Sequence, residues 1–155
     1  MHSCYLYCSA MYGSQLWDLT SKSVDKICTQ WRKAHRCGLS VPYTTHCDLL
    51  PLIADNRPMD MILDCKYMSF VRFITTSNNS VVEHMAHSRL NDHESTLKRN
   101  MPHLMYKYDM AMDDIISYSK SKINKHCYVK WFVGLGIGYP RYAQIARDMI
   151  KVKED

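Results

Sequence analysis

Val24, Ile27, Cys28, Trp31 and Ala34 recur at three- and four-residue spacing. That period gathers side chains on one side of an α-helix, and it predicts a helix over residues 21–38, capped by Thr20 or Ser21. Before it, Tyr5, Cys8, Tyr12 and Trp17 stand at mixed helical spacing, which predicts a helix in the first 17 residues. Beyond Pro42, Thr45-His46-Cys47-Asp48 offers a cap with an acid three residues on, followed by a short helix through Leu49, Leu50 and Ile53. Pro58 suits a first helical turn, and the next helix runs to about Thr75, with Met59, Ile62, Leu63, Phe70, Phe73 and Ile74 as its expected buried set.

Asn78-Asn79-Ser80 reads as a turn and cap before a short helix through Val82, Met85, Ala86 and Leu90. Residues 91–100 are polar and read as loop, and Pro102 is expected to open a helix ending near Tyr108. Met112 to Trp131 reads as one long helix, with Ile115, Ile116, Ser119, Ile123 and Cys127 on one side and Gly134, Gly136 and Gly138 breaking it. Pro140 begins a last amphipathic segment through Tyr142, Ile145, Ala146, Met149 and Ile150. No strand alternation competes and no segment repeats. The expected fold is all-α, an irregular bundle of about six to eight helices.

Composition narrows this. The chain has 155 residues, 46% of them hydrophobic, enough for one domain with a real core. Five glycines and five prolines leave room for mostly regular structure. Seven cysteines at irregular spacing argue against a disulfide framework; Cys28, Cys37, Cys47 and Cys65 lie in or beside apolar helical pattern and read as small buried thiols in a reducing compartment. The N-terminus carries no Lys or Arg before its apolar residues, unlike a secretory signal, and no apolar run reaches the roughly 20 residues of a membrane span. The expectation is a nuclear or cytoplasmic protein, neither secreted nor in a membrane.

The net charge of +5 is a mild basic bias, and it is concentrated. Between residues 20 and 40, Lys22, Lys26, Arg32, Lys33 and Arg36 stand against one acid, Asp25. Lys22, Lys26, Lys33 and Arg36 share a helical face away from the apolar stripe. Farther on, Lys120, Lys122, Lys125 and Lys130 have no acid between them. Lys and Arg neutralise phosphates, and the guanidinium fork matches their oxygens. Lys22, Lys26, Trp31, Arg32, Lys33, Arg36, Lys122 and Lys125 are therefore the candidate nucleic-acid contacts; the alternative is a solvated helix face with Trp31 as ordinary core.

Catalytic patterns are weaker. Asp113-Asp114 resembles the aspartate pair of reverse transcriptases, but the aromatic position of that motif is Ala111, and the pair opens a predicted helix, where acids suit the dipole. Gly134-Leu135-Gly136-Ile137-Gly138 resembles a phosphate loop but has Tyr139 where that fingerprint continues. His84 and His87, with His93, Cys4 and Cys8, show no recognised ligand spacing. No metal, cofactor or catalytic residue is expected.

The ordered series Cys8 to Asp18, then Trp31-Arg32-Lys33-Ala34-His35-Arg36, Leu39, Pro42, Thr44-Thr45-His46 and Leu49-Leu50-Pro51, resembles the stretch downstream of the polymerase core in LINE-type (non-LTR) retrotransposon reverse transcriptases. Arg57-Pro58, Leu63, Phe70, Asn78 and the run Asn100 to Tyr108 continue it. The resemblance implies a thumb-like helical region over residues 1–110 and a weakly matched C-terminal helical extension over 111–155. It places Trp31, Arg32, Lys33 and Arg36 on the thumb helix, with Tyr12 and Trp17 beneath. It implies sequence-independent contact with the backbone of an RNA–DNA hybrid or duplex DNA. No palm motif is present, so the expected product is a non-catalytic fragment of an RNA-directed DNA polymerase, prone to self-association through exposed apolar surface. The competing readings are an α-helical protein-interaction module, a small enzyme of unassigned chemistry, and a relic with no selected function.

Overall fold

The structure, a computed structural model, describes residues 11–138. Among these residues the regular elements are all helical: a 3-10 turn at Ser14–Leu16, then α1 Lys22–Gly38, α2 Leu50–Ile53, α3 Met59–Thr75, α4 Ser80–Asn91, α5 Thr96–Tyr108, α6 Met112–Ser117 and α7 Lys120–Gly138. The all-α expectation holds, and no described helix is long and apolar enough to cross a membrane.

Capping side chains set several starts. Ser21 Oγ accepts the Val24 N–H at 3.4 Å, Asn79 Oδ1 accepts those of Val81 and Val82 at 3.0 and 3.4 Å, and Ser95 Oγ accepts that of Leu97 at 3.2 Å. α3 is the axis of the bundle because it is apolar on more than one side. It buries Met61, Leu63, Cys65, Tyr67, Met68 and Val71 and touches α1, α4, α6, α7 and the N-terminal turn. Val24, Cys28 and Trp31 of α1, Leu104 and Tyr108 of α5, Ile115 of α6, and Ile123 and Cys127 of α7 complete one core. Helices on both sides of residue 110 supply it.

Several expectations are corrected. Residues 11–17 hold only the short 3-10 turn at Ser14–Leu16, not the predicted helix: Gly13 before it sits at φ +71°, a left-handed conformation that interrupts an α-helical run. Tyr12 is 90% exposed rather than packed beneath α1, while Trp17 is half-buried against the core. The earlier part of that predicted helix and the segment after Pro140 lie outside the described residues. Thr45 does not cap α2, whose preceding residue, Leu49, makes no side-chain cap.

Residues 96–100, expected as loop, are the first turns of α5, and Pro102 lies inside that helix rather than at its start. Its ring is on the exposed side, where water can replace the missing N–H. The long helix over 112–131 is split. Tyr118 takes an extended backbone (φ −73°, ψ 138°), and Ser119, expected in the buried stripe, is exposed with its Oγ accepting the Lys122 N–H at 3.2 Å. The glycines do not end α7, which continues to Gly138 with Leu135 buried. Phe73, expected in the core, is 68% exposed, and Cys37 and Cys47 are exposed while Cys28 and Cys65 are buried.

A Cβ built at Gly134 meets no atom within 4 Å. Gly134→Ala is therefore expected to stabilise the fold by about 1 kcal/mol, the propensity difference in a helix interior. It should raise the urea midpoint without changing the slope; an unchanged or lower midpoint would show that Gly134 is not held in a helix.

Candidate nucleic-acid interface

α1 turns Val24, Cys28 and Trp31 inward and leaves Lys22, Lys26 and Lys33 exposed on the opposite face. The three ammonium groups form no ion pair with an acid among the described residues, so their charge is turned to solvent. The other predicted residues of this helix are placed differently. Trp31 is 8% exposed, and its ring centroid lies 3.8 Å from that of His35, so it anchors the helix rather than offering a stacking surface. Arg32 is half-buried and donates to Thr29 Oγ1 at 3.1 Å.

Arg36 braces the loop that follows α1. Its guanidinium donates to the Thr45 carbonyl at 2.9 Å and to Cys47 Sγ at 3.0 Å, and lies 5.2 Å from the Tyr43 ring centroid. Two of its donor contacts are thus spent inside the chain. Lys33, Arg36, Cys37, Ser40, Val41 and Tyr43 line a hollow of about 310 Å³ at this end of α1.

The second predicted pair is separated. Lys122 sits over the Tyr118 ring, 3.6 Å from its centroid. Lys125 instead joins Arg57, Lys120, Ser121, Asn124 and Tyr128 around a hollow of about 580 Å³. Arg57, Lys120 and Tyr128 were not among the predicted contacts. The signal available was the four-residue step from Lys120 to Asn124 to Tyr128, which lays one stripe along a helix. Among the described residues this hollow shares no lining residue with the one beside Lys33 and Arg36.

Inside the bundle, the Asp64 carboxylate accepts from Lys107 Nζ at 2.6 Å and from the Tyr108 hydroxyl at 2.7 Å, and Lys107 also reaches Asp60 at 2.9 Å. Burial pushes the Asp64 carboxyl above its ordinary range, and the two donors pull it back only in part. Burial works against the Lys107 charge, but the two carboxylates outweigh it and hold that ammonium above its usual value. Beside them the buried thiols of Cys65 and Cys127 interact across α3 and α7, and that interaction with burial holds the Cys127 thiol well above its ordinary value. Asp64 and Tyr108 are buried, whereas Lys107 and Asp60 reach the surface, where Asp60 lines a hollow with Cys28, Arg32 and Trp131. The group ties α3 to α5 and α7.

Asp114 closes the first turn of α6 by accepting the Ala111 N–H at 3.0 Å, and Asp113 is exposed. Both act as acids at a helix start do. His84, His87 and His93 are exposed. Among the described residues no group of three His, Cys, Asp or Glu is placed to hold a metal ion. No family model, curated protein or solved structure matches this chain.

Proposed function

We propose that this chain is a non-catalytic nucleic-acid-binding piece, related to the thumb of LINE-type reverse transcriptases, that holds the backbone of an RNA–DNA hybrid or duplex DNA without reading bases. The observation that carries the reading is the α1 face on which Lys22, Lys26 and Lys33 stand exposed with no acid partner among the described residues. Phosphates supply the missing counter-charge, and binding through them is sensitive to salt and indifferent to sequence. Arg36 contributes by bracing the loop at the end of that face, and Trp31 by fixing the helix to the core.

Fluorescence anisotropy with a labelled RNA–DNA hybrid and with matched duplex DNA, over rising salt, tests it. Replacing Lys22, Lys26 and Lys33 together by alanine is expected to flatten the plot of log affinity against log salt by about 2 to 3 in slope, close to one per lost phosphate contact. A slope equal to that of the parent removes this face from the interface. Exposed Phe73 on α3 and Val81 and Met85 on α4 favour a second reading, a protein-interaction module. Concentration-dependent association that ignores nucleic acid supports it.

A further inference from the structure

We propose that the hollow between Arg57 and the start of α7 binds one nucleoside phosphate unit, with its phosphate among Arg57, Lys120 and Lys125 and its base against Tyr128. This rests on the reading of the chain as a nucleic-acid binder, but uses residues separate from the α1 face.

The charge balance points there first. Among the described residues four cations have acid partners: Arg89 with Asp92, Arg99 with Asp18, Lys107 with Asp60 and Asp64, and Lys130 with Asp109. Arg57, Lys120 and Lys125 converge on one concavity, and among the described residues no carboxylate lines it and none of the three forms an ion pair. Like charges gathered this way repel one another, and a phosphate relieves that repulsion. Its oxygens accept from the guanidinium fork and both ammonium groups. Ser121 and Asn124 add neutral donors from the same turns of α7.

The hollow is also held in shape. Arg57 precedes Pro58, which biases its backbone toward the extended region and is itself buried. The bend before it is closed by the Ala54 N–H to Leu50 O at 2.9 Å and the Asn56 N–H to Pro51 O at 2.8 Å, with Asp55 at φ +48°. The Arg57 N–H donates to Asn56 Oδ1 at 2.8 Å. On the other wall, Ile123 and Cys127 anchor α7 in the core, with Lys120 and Lys125 exposed and Asn124 half-buried beside them. The phosphate seat is therefore largely ordered before a ligand arrives.

Tyr128 supplies a surface of different character. Its ring stacks on Phe132 at 6.3 Å between centroids and 20°, with Trp131 at 5.6 Å, so its orientation is set by its neighbours along α7. A base can stack on such a ring whatever its identity. The 580 Å³ volume falls within the roughly 300–1,000 Å³ of small-ligand sites. A lone anion needs neither that space nor an aromatic wall. Lys120, Ser121, Lys125 and Arg57 are all exposed, so the unit can belong to a passing single strand as well as to a free nucleotide.

The test uses the full chain and anisotropy of a labelled oligothymidylate, with unlabelled thymidine monophosphate and inorganic phosphate as competitors. Parent protein is expected to bind the strand. Lys120→Ala with Lys125→Ala should weaken that binding at least about tenfold. Tyr128→Leu should weaken it about tenfold while Tyr128→Phe retains it, because stacking needs the ring and not the hydroxyl. Circular dichroism matching the parent confirms that each variant is folded. Displacement by thymidine monophosphate at a concentration comparable to that of strand sites assigns a free nucleotide; displacement only by competing strand assigns a polymer unit. Equal displacement by inorganic phosphate overturns the nucleotide assignment, as does parent-like binding by Tyr128→Leu. Loss of strand binding on replacing Lys22, Lys26 and Lys33, with none on replacing Lys120 and Lys125, overturns the hollow and leaves the α1 reading standing. Strand binding through the hollow without any duplex binding does the reverse.

Discussion

Asn100→Leu is expected to lower the unfolding free energy by about 3 kcal/mol. Asn100 is wholly buried, and its side chain is the partner of two backbone groups far away in the chain. Its Oδ1 accepts the Leu19 N–H at 3.0 Å, and its Nδ2 donates to the Trp17 carbonyl at 2.8 Å. Leucine fills much the same volume but can make neither bond. The amide of buried Leu19 and the carbonyl of half-buried Trp17 would then be left without partners, at about 1–3 kcal/mol for each buried group. The Arg99 to Asp18 contact at 3.7 Å lies largely in solvent and cannot replace them. Urea unfolding of the variant measures the loss. A change below about 0.5 kcal/mol, the range of ordinary surface substitutions, would show that the N-terminal turn is not clasped to α5.

Lys107→Met is expected to cost about 2 kcal/mol at neutral pH, toward the low side for a broken buried pair because the lysine is a third exposed. The loss should shrink on acidification. The Asp64 carboxyl is already held above its ordinary range by burial, and removing Lys107 removes the strongest influence pulling it down. A group whose folded pKa lies above its unfolded value favours the fold below the unfolded pKa and loses that contribution as pH rises through the folded one. The variant should therefore lie closest to the parent in acid, where Asp64 is protonated and still bonded to Tyr108, and fall away through and above the carboxylate range. Unfolding curves at several pH values decide this. A deficit independent of pH would mean that the loss is one of packing by the lysine stem, not of charge.

The parts of the fold that were legible in the sequence are those set by local chemistry. The α1 stripe of Val24, Cys28 and Trp31, the Ser21 and Asn79 caps and the end of α3 at Thr75 each follow from a few adjacent residues. What was missed depends on surroundings. Pro102 looks like a helix start unless Ser95 is known to have opened the helix already. Ser119 fits an apolar stripe by spacing, yet its hydroxyl serves better as a cap once Tyr118 is extended. Phe73 is apolar enough for any core, but α3 turns Val71 and Met68 inward and leaves Phe73 on its outer side. The candidate site divides the same way. Lys22, Lys26 and Lys33 were visible as a face because one helix carries them. Arg57 was not grouped with Lys120 and Lys125, because only the tertiary fold brings its loop to α7.

The clasp at Asn100 also bears on the order in which this chain assembles. Its two hydrogen bonds join residues 81 and 83 positions apart, while α3, α4 and α5 follow one another through short turns. Closing so long a loop early is entropically costly, and the cost falls once the intervening helices have packed. The N-terminal turn thus docks late, onto a surface that the rest of the bundle has already built. Interactions formed after the folding barrier leave the folding rate nearly untouched and act on the rate of opening. Asn100 is in that sense a latch: it does little to bring the bundle together and much to keep it shut.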